Sequence, residues 1–407
     1  MAQRKAVDIV LFGATGFTGE LTATYLAHAG KRETFSWALA GRNTEKLARV
    51  RKRLESIDPK YRDLPLIEAD LNQPDSLAAM AAQARVVVTT VGPYIHYGEA
   101  VVKACVEQKA DYVDLTGEPE YVDHLQWLYD RSAQERKVRL VNCCGFDSIP
   151  HDLGVWYTLR ELTRDLTRKE AARLDVDMEG FVEFHGRLSG GTWHSAVHAF
   201  SRYRRYMADR RAHGAFGSPP GRYIQSLLPR LKYQVDLGSW AVPFPTIDPQ
   251  VIKRSAAALE EYGRRFRYGH YLLVKRLPRV LAGAALLGGV FLLAQARWTR
   301  EWLLALRGQG QGPSPAQIEQ GWFRVTFKAR AGKRRIRTFV AGGDPGYGAT
   351  SRMLGEAALC LALDRRRLTP HYGVVTPASV MAKPLYERLQ RAGLEFRVVE
   401  ETGPERS

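Results

Sequence analysis

The 407-residue chain has few cysteines and none of the short signatures that mark several common enzyme classes. Its four cysteines show no metal-binding spacing and include an adjacent pair, Cys143 and Cys144, in which a structural disulfide would be strained. We therefore expect a reduced, cytoplasmic protein without a metal site. The sequence has no HExxH motif, no Walker loop and no Ser-His-Asp order, which argues against zinc proteases, P-loop hydrolases and serine hydrolases.

Acidic residues are scarce in the middle of the chain. Residues 200–310 contain 19 Lys or Arg but only 6 Asp or Glu, whereas residues 1–150 contain 19 and 20. The net charge of +17 is therefore concentrated in one segment. Such a segment favours an anionic partner, namely membrane lipid, nucleic acid or an acidic carrier, and the alternative is an ordinary solvated surface. The N-terminus lacks an apolar signal core, because Asp8 interrupts the first apolar run.

The most informative motif lies in residues 7–19, where a short apolar run ends at three glycines spaced by three. A strand, a glycine turn and a helix in this order form a phosphate site from backbone N–H groups and the helix dipole. The first glycine permits the turn, the second admits a pyrophosphate, and the third lets helix and strand pack closely. The pattern predicts dinucleotide binding by Gly13, Ala14, Thr15, Gly16, Phe17, Thr18 and Gly19.

Residues after the next strands indicate which dinucleotide binds. Arg42 follows the second predicted strand, where NAD enzymes usually carry an acidic residue, and an arginine there favours the 2′-phosphate of NADPH. Asp70 follows the third strand as a candidate for the adenine edge or for a loop cap. We also expect Val91, Gly92 and Pro93, at the end of the fourth strand, to contact the cofactor.

Alternating apolar runs and helical stretches predict an α/β fold over the first 150 residues. We expect strands over residues 8–12, 36–40, 65–68, 86–91, 112–115 and 139–143, separated by helices over residues 18–28, 44–56, 74–83, 97–108 and 119–136. Because these strands are short apolar runs, they should form a doubly wound parallel sheet buried on both faces.

The pattern then changes to that of an α+β domain. We expect a strand over residues 173–187, a long loop with a short helix over residues 209–250, and an antiparallel hairpin that turns near Gly332. A helix follows over residues 349–363. The predicted division is a Rossmann domain over residues 1–150, an inserted α+β substrate domain over 151–340, and a C-terminal helical segment over 341–407 that packs back on the first domain.

Residues 280–296 form an uncharged apolar stretch with basic residues on both sides. As a helix it would span about 26 Å, which is shorter than the roughly 30 Å hydrocarbon core of a bilayer. Two interpretations remain open: a helix that contacts an anionic membrane surface, or a helix buried in the core or in a homodimer interface.

Three polar side chains are candidates for catalysis. Tyr94 follows the fourth strand, while Asp147 and Ser148 follow the sixth, so all three should face the crevice at the carboxyl ends of the strands. His96 lies beside Tyr94 after the fourth strand, and Asp114 lies at the end of the fifth, in a loop that opens on the same crevice. The alternative for Asp147 and Ser148 is helix capping.

Six motifs, taken in order, resemble those of the saccharopine dehydrogenase-like oxidoreductases, and most closely the subfamily with trans-acting enoyl reductases and membrane-associated relatives. They are Gly13 to Gly19, Val91 to Tyr94, Asp114 to Glu118, Gly145 to Pro150, Ser189 to Thr192 and Gly342 to Tyr347. The resemblance implies NADPH-dependent reduction of an enoyl lipid or polyketide intermediate. Alternatives are a saccharopine-type dehydrogenase of amino-acid conjugates and a non-catalytic, NADPH-binding adaptor on the inner face of the membrane. We expect a lipid-like or carrier-bound substrate and no nucleic-acid partner.

Overall fold

Two β-sheets, joined by helices that pack between and around them, make up the structure. The computed structural model describes residues 5–186, 190–214, 217–306 and 314–402. The strands of these ranges are β1 (Val7–Phe12), β2 (Trp37–Gly41), β3 (Leu66–Glu68), β4 (Ala84–Thr89), β5 (Asp111–Val113), β6 (Arg139–Val141), β7 (Asp175–His185), β8 (Tyr223–Ser226), β9 (Lys232–Gln234), β10 (Ser239–Pro243), β11 (Arg265–Val274), β12 (Trp322–Ala331), β13 (Arg334–Gly343), β14 (Gly373–Val375) and β15 (Glu395–Thr402). The helices are α1 (Phe17–Ala29), α2 (Thr44–Glu55), α3 (Pro74–Gln83), α4 (Tyr94–Gln108), α5 (Pro119–Arg136), α6 (Ile149–Leu162), α7 (Arg168–Ala171), α8 (Gly190–His213), α9 (Asp248–Ala258), α10 (Leu277–Gln295), α11 (Arg297–Ala305), α12 (Pro315–Glu319), α13 (Gly348–Leu363) and α14 (Pro377–Arg391).

The first sheet is parallel throughout and has the strand order β14-β6-β5-β4-β1-β2-β3. Its central strands β1, β2 and β4 are almost fully buried, as their apolar sequences require. The chain runs outward from β1 to β3 and then returns to β4 on the other side of β1. The ends of β1 and β4 therefore form the switch point at which such sheets bind ligands.

The C-terminal part of the chain closes the first sheet. β14 pairs with β6, and α13 packs against α1 and β4. The chain then leaves this sheet, because β15 pairs with β13 of the second sheet. The fold class predicted from the sequence is confirmed, with a Rossmann-type sheet, a second domain and a returning C-terminal segment.

The second sheet is mixed, with the order β15-β13-β12-β7-β11-β10-β9 and β8 paired beside β11. The predicted hairpin is present as β12 and β13, and the long strand β7 pairs antiparallel with β12 and parallel with β11. Helix α6 lies against β12 and β13 at close range, since a Cβ on Gly154 would come within 2.3 Å of the Phe327 ring.

One prediction for the second domain is wrong. Residues 209–250 were expected to form a long loop with a short helix, but they contain three short strands, β8, β9 and β10. Strands β8 and β10 both pair with β11, and β9 pairs with β10. Short strands with mostly exposed side chains have little apolar pattern of their own, so pairing with a distant strand stabilises them.

Helix α10 contains most of the uncharged stretch, and it is largely exposed. Only 11% of its apolar window is buried, and Leu281, Leu286 and Leu292 are each more than 60% exposed. Of the interpretations left open by the sequence, burial in the core of this chain is therefore wrong. Within the described residues, α10 is the one helix that by length and composition could cross a membrane.

Candidate functional site

The glycine loop has the geometry of a phosphate cradle. Gly13 has a φ of +84°, and its N–H donates to the carbonyl oxygen of Ala40 at 3.0 Å, so the chain turns sharply at the end of β1. A Cβ on Gly19 would lie 2.1 Å from the carbonyl oxygen of Gly13. The fold itself therefore requires glycine at both positions.

Gly16 differs from the other two glycines. It is exposed at the N-cap of α1, and a Cβ there would meet nothing closer than the carbonyl oxygen of Gly13 at 3.5 Å. No side chain among the described residues caps α1, so its first N–H groups remain available. The fold thus leaves Gly16 open on the side where an anion approaches the helix N-terminus, which fits a dinucleotide pyrophosphate.

The loop after β4 lies directly beside the glycine loop. The Thr90 hydroxyl donates to the carbonyl oxygen of Gly13 at 3.1 Å, and the side chain of Val91 fills the space beside Gly13. The peptide bond between Gly92 and Pro93 is cis, and Pro93 is the N-cap residue of α4. Val91, Gly92 and Pro93 are therefore placed at the switch point, as their predicted contact with the cofactor requires.

The residues predicted to bind the 2′-phosphate and the adenine edge, Arg42 and Asp70, differ in their surroundings. Arg42 follows β2 directly, is exposed, and makes no hydrogen bond or ion pair with the described residues. Its guanidinium is thus available to a ligand phosphate. The Asp70 carboxylate instead accepts from the backbone N–H of Asn72 at 2.9 Å and from its side chain at 3.1 Å. This local turn corresponds to the loop cap that the sequence left open as the alternative.

Tyr94 lies in the interior of the first domain. Its side chain is only 5% exposed, its hydroxyl donates to the carbonyl oxygen of Thr89 at 3.2 Å, and its ring packs against Tyr121. Burial raises the pKa of Tyr94 well above its ordinary value. The geometry gives no support to Tyr94 as a catalytic residue, because its hydroxyl is buried and already donates to a backbone carbonyl oxygen.

A residue that the sequence did not single out holds the start of α4. The buried Glu118 carboxylate accepts from the N–H groups of Tyr94 at 3.0 Å and Ile95 at 2.9 Å. It also accepts from the hydroxyl of Ser195, on α8 of the second domain, at 2.8 Å. Glu118 therefore ties the loop after β4 to α8, and this contact spans segments too distant for a sequence motif to indicate.

Helix α8 also brings histidines to the start of α4. The rings of His96 and His198 are 5.2 Å apart in an edge-on arrangement. Burial, together with the charges of His96 and His194, lowers the pKa of His198 to about 4. His198 is therefore neutral near pH 7. Of the predicted loop before α8, Ser189 lies outside the described residues, and α8 begins at Gly190.

Asp147 faces the loop after β5. A Cβ on Gly117 would lie 2.9 Å from a carboxylate oxygen of Asp147, so glycine at 117 allows this approach. Burial, reinforced by the negative charge of Asp248, raises the pKa of Asp147 to about 6. A carboxyl group with this pKa is partly protonated near neutral pH and can donate a proton to a bound ligand.

Ser148 and Asp114 have structural surroundings. The buried Ser148 hydroxyl donates to the carbonyl oxygen of Asp147 at 2.5 Å, and Ser148 precedes α6 without a side-chain capping bond. The Asp114 carboxylate is fully buried and accepts four hydrogen bonds, two from its own segment and two from the segment after β6. The donors are Tyr112 and Thr116, and Asn142 and Cys143. Burial nevertheless raises the pKa of Asp114 to about 6.

The C-terminal segment completes the site. Asp344 accepts from the N–H groups of Tyr347 and Gly348, which starts α13, and the Tyr347 ring lies 4.7 Å from that of Phe17 in the glycine loop. The N–H of Phe146 donates to the Thr350 hydroxyl at 3.0 Å. The motifs around Gly13, Asp147 and Asp344 thus meet in one place although they are far apart in sequence.

Comparison with known proteins also identifies the first domain as a dinucleotide-binding domain, and it finds relatives that match over nearly the whole chain. Residues 9–141 match the family described as the saccharopine dehydrogenase NADP binding domain. A trans-acting enoyl reductase of Mycobacterium tuberculosis is 38% identical over 413 residues, covering 95% of this chain and 96% of that protein. A saccharopine dehydrogenase-like oxidoreductase of Bos taurus is 32% identical, covering 98% of this chain and 99% of that protein.

A solved structure shows the same fold. Saccharopine dehydrogenase (L-Glu forming) from Saccharomyces cerevisiae superposes with a TM-score of 0.52 at 13% identity, covering 97% of this chain and 100% of the other. The likeness covers both sheets, whereas the low identity leaves the chemistry of the two sites to be argued separately.

Proposed function

This chain belongs to the saccharopine dehydrogenase-like oxidoreductases, and from this premise we propose that it is an NADPH-dependent enoyl reductase acting on a lipid-like or carrier-bound acyl substrate. The observation that carries the proposal is 38% identity, over nearly the whole length, to relatives named trans-acting enoyl reductase. The exposed Arg42 beside the glycine loop supports NADPH over NADH, because a guanidinium pairs well with a 2′-phosphate.

The residues of the site divide the work of such a reaction. When bound, NADPH supplies the hydride that reduces the β-carbon of the double bond. Backbone N–H groups in the first turn of α1, which no side chain caps, would hold the pyrophosphate, and Arg42 would hold the 2′-phosphate. Asp147 donates the proton that the α-carbon gains, so one hydride and one proton together saturate the bond. Ser148 and Glu118 hold the loops in position.

Oxidation of NADPH against a panel of enoyl thioesters tests the proposal. The panel contains short- and long-chain enoyl groups on coenzyme A and on an acyl carrier protein. We expect turnover with long chains, and about 100-fold or greater loss of kcat in Asp147→Asn with unchanged NADPH binding. If no member of the panel is reduced by protein that binds NADPH, the proposal is wrong.

A saccharopine-type activity is the second candidate, because the fold matches that of a saccharopine dehydrogenase. NAD(P)-dependent oxidation of saccharopine, without turnover of enoyl thioesters, would select it. Cofactor binding without consumption in both assays would select the non-catalytic adaptor instead.

We also propose that α10 and α11 attach the protein peripherally to an anionic membrane. Trp298 and Trp302 on α11 are 76% and 55% exposed beside the exposed leucines of α10. Basic residues lie on both sides of the apolar stretch 280–296, namely Lys275, Arg276, Arg279, Arg297 and Arg300. Exposed apolar side chains with aromatic and basic neighbours suit the headgroup boundary of an anionic leaflet.

Vesicle flotation tests this attachment. The full chain should float with vesicles that contain phosphatidylserine and should bind neutral vesicles more weakly. Leu286→Asp combined with Leu292→Asp should abolish flotation, whereas Val235→Asp, which changes an exposed apolar residue elsewhere, should not. If the double variant floats as well as the wild type, the proposal is wrong. If the wild type instead forms a concentration-dependent dimer that the double variant does not form, the surface is a homodimer interface.

A further inference from the structure

Three buried side chains from separate elements converge beside the candidate site. His151 lies in the first turns of α6, Asp248 begins α9, and His270 lies in β11. Nδ1 of His151 is 2.7 Å from Oδ1 of Asp248, and Nε2 of His270 is 3.4 Å from Oδ2 of the same carboxylate. One potential ligand atom from each residue lies within 4.8 Å of the other two.

Several atoms of this cluster have no hydrogen bond. His151 Nδ1 and Nε2, Asp248 Oδ1 and His270 Nε2 are all buried, and none has a hydrogen-bond partner of acceptable geometry among the described residues. The 2.7 Å contact is short enough for a hydrogen bond, but its atoms are not aligned as one. Each unsatisfied buried polar group costs roughly 1–3 kcal/mol, so their convergence at one point indicates an additional ligand.

The remaining polar atoms of the cluster are held from outside. The Tyr268 hydroxyl lies 3.1 Å from Nδ1 of His270, which leaves Nε2 directed at the carboxylate. The Thr246 hydroxyl donates to Oδ2 of Asp248. Outer hydrogen bonds of this kind fix the orientation of imidazole and carboxylate groups that bind metals.

We propose that His151, Asp248 and His270 bind one divalent transition-metal ion. Zinc–nitrogen and zinc–oxygen bonds of about 2.0–2.1 Å place tetrahedral ligand atoms about 3.4 Å apart. The contact between His270 and Asp248 has this length, at 3.4 Å, whereas the contact between His151 and Asp248, at 2.7 Å, would have to lengthen. The widest pair of ligand atoms, at up to 4.8 Å, would have to close by up to about 1.4 Å. Two imidazoles and one carboxylate suit zinc or ferrous iron better than magnesium or calcium.

The surroundings define what the ion does. The Phe146 ring lies 5.5 Å from His151, and the Phe244 ring stacks on His270 at 5.8 Å, so aromatic side chains shield the cluster. The ion fastens α6, α9 and β11 together next to Asp147. Three protein ligands leave a fourth position for water. The site departs from the sequence-based expectation of no metal, because its ligands come from distant segments without a recognisable spacing.

Zinc binding to the full-length protein tests the assignment. Metal-free protein is titrated with zinc in competition with a chromophoric chelator. In a second measurement, the protein is purified without chelators and its metal content is determined by mass spectrometry. We expect about one equivalent of zinc per chain, and at least about tenfold weaker binding in His151→Gln, Asp248→Asn and His270→Gln. His28→Gln, which changes an exposed histidine of α1, is the matched control and should bind like the wild type.

Two further results keep the test decisive if a variant fails to fold. Tyr268→Phe and Thr246→Val leave all three ligands in place, and each should weaken zinc binding by about tenfold through lost orientation. Zinc should also raise the Tm of the wild-type protein. Either of two results would overturn the proposal. One is folded wild-type protein that retains less than about a tenth of an equivalent of zinc, iron and manganese together, and the other is ligand variants that bind zinc as tightly as the wild type.

Discussion

The two halves of the molecule place their functional groups in opposite ways. The first sheet is parallel, buried on both faces and nearly neutral in charge, and its functional loops are short turns after strands. The second domain has a mixed sheet and a basic segment with 19 Lys or Arg against 6 Asp or Glu, and its helices α10 and α11 expose large apolar side chains. The first half offers backbone geometry to a small ligand, whereas the second half offers an exposed surface.

This difference predicts where the molecule tolerates substitution. In the first half, a single added methyl group can collide with the backbone. In α10 and α11 of the second half, large apolar side chains are mostly exposed to solvent. Four measurements, from the largest expected effect to the smallest, would break or sharpen the contrast.

The largest effect is expected within the glycine loop. Gly19→Ala forces a Cβ to within 2.1 Å of a backbone carbonyl oxygen that cannot move without shifting β1, so we expect loss of folded protein. Gly16→Ala meets no such obstacle and should fold with an unchanged Tm, but with roughly 10–100-fold weaker NADPH binding. Thermal unfolding of both variants measures the Tm, and titration with NADPH measures the affinity for the cofactor. Equal stability of the two would show that the third glycine is not a packing requirement.

The next effect is the dependence of stability on pH through Asp114. Burial raises its pKa from the ordinary 3.8 to about 6, so the folded state holds this proton more tightly than the unfolded state does. Protonation of Asp114 therefore adds to the free energy of unfolding below about pH 4, and this contribution is lost as the pH rises through 6. A pKa difference of about 2 corresponds to roughly 3 kcal/mol.

Asp114→Asn cannot titrate, and its NH2 group would face two of the four hydrogen-bond donors that the carboxylate accepts from. The variant should therefore be less stable than the wild type at low pH. The gap between the two free energies of unfolding should narrow by roughly 3 kcal/mol between about pH 4 and pH 8. Urea unfolding at both pH values measures the gap. A gap that stays constant or widens would refute the raised pKa of Asp114.

A smaller effect is expected at Arg42. Arg42→Ala should weaken NADPH binding by about 10–100-fold and leave NADH binding unchanged, because only NADPH carries the 2′-phosphate. Arg49→Ala, on the exposed side of α2, removes the same charge from the same region and serves as the control. Equal losses for both cofactors would mean that Arg42 acts through general electrostatics and does not select NADPH.

The smallest effect on stability is expected in the second half. Trp298→Ala removes a side chain that is 76% exposed and should change the free energy of unfolding by less than about 0.5 kcal/mol. Trp37→Ala, in the buried strand β2, should cost roughly 3–5 kcal/mol. A large loss at Trp298 in the absence of lipid would show that α11 contributes to the core, and the contrast between the two halves would fail.

The sequence by itself determined the first sheet and its cradle. Strands β1 to β6 and helices α1 to α5 lie within a few residues of their predicted positions, because apolar runs, glycine turns and helix periodicity act over short distances. The same local rules identified Gly13, Gly16 and Gly19 and placed Arg42 beside them. The family resemblance was also carried by short motifs, and the comparisons confirmed it.

Only the tertiary structure decided how distant segments meet. The edge strands β8 to β10, the link from Glu118 to Ser195, the inward direction of Tyr94 and the cluster around Asp248 each depend on partners many residues away. The exposure of α10 also depends on the whole fold, because the sequence of an apolar helix is the same whether other segments bury it or leave it exposed. A local sequence sets the conformation of its own backbone, but which side chains end up buried, paired or uncovered is fixed by the packing of the whole chain.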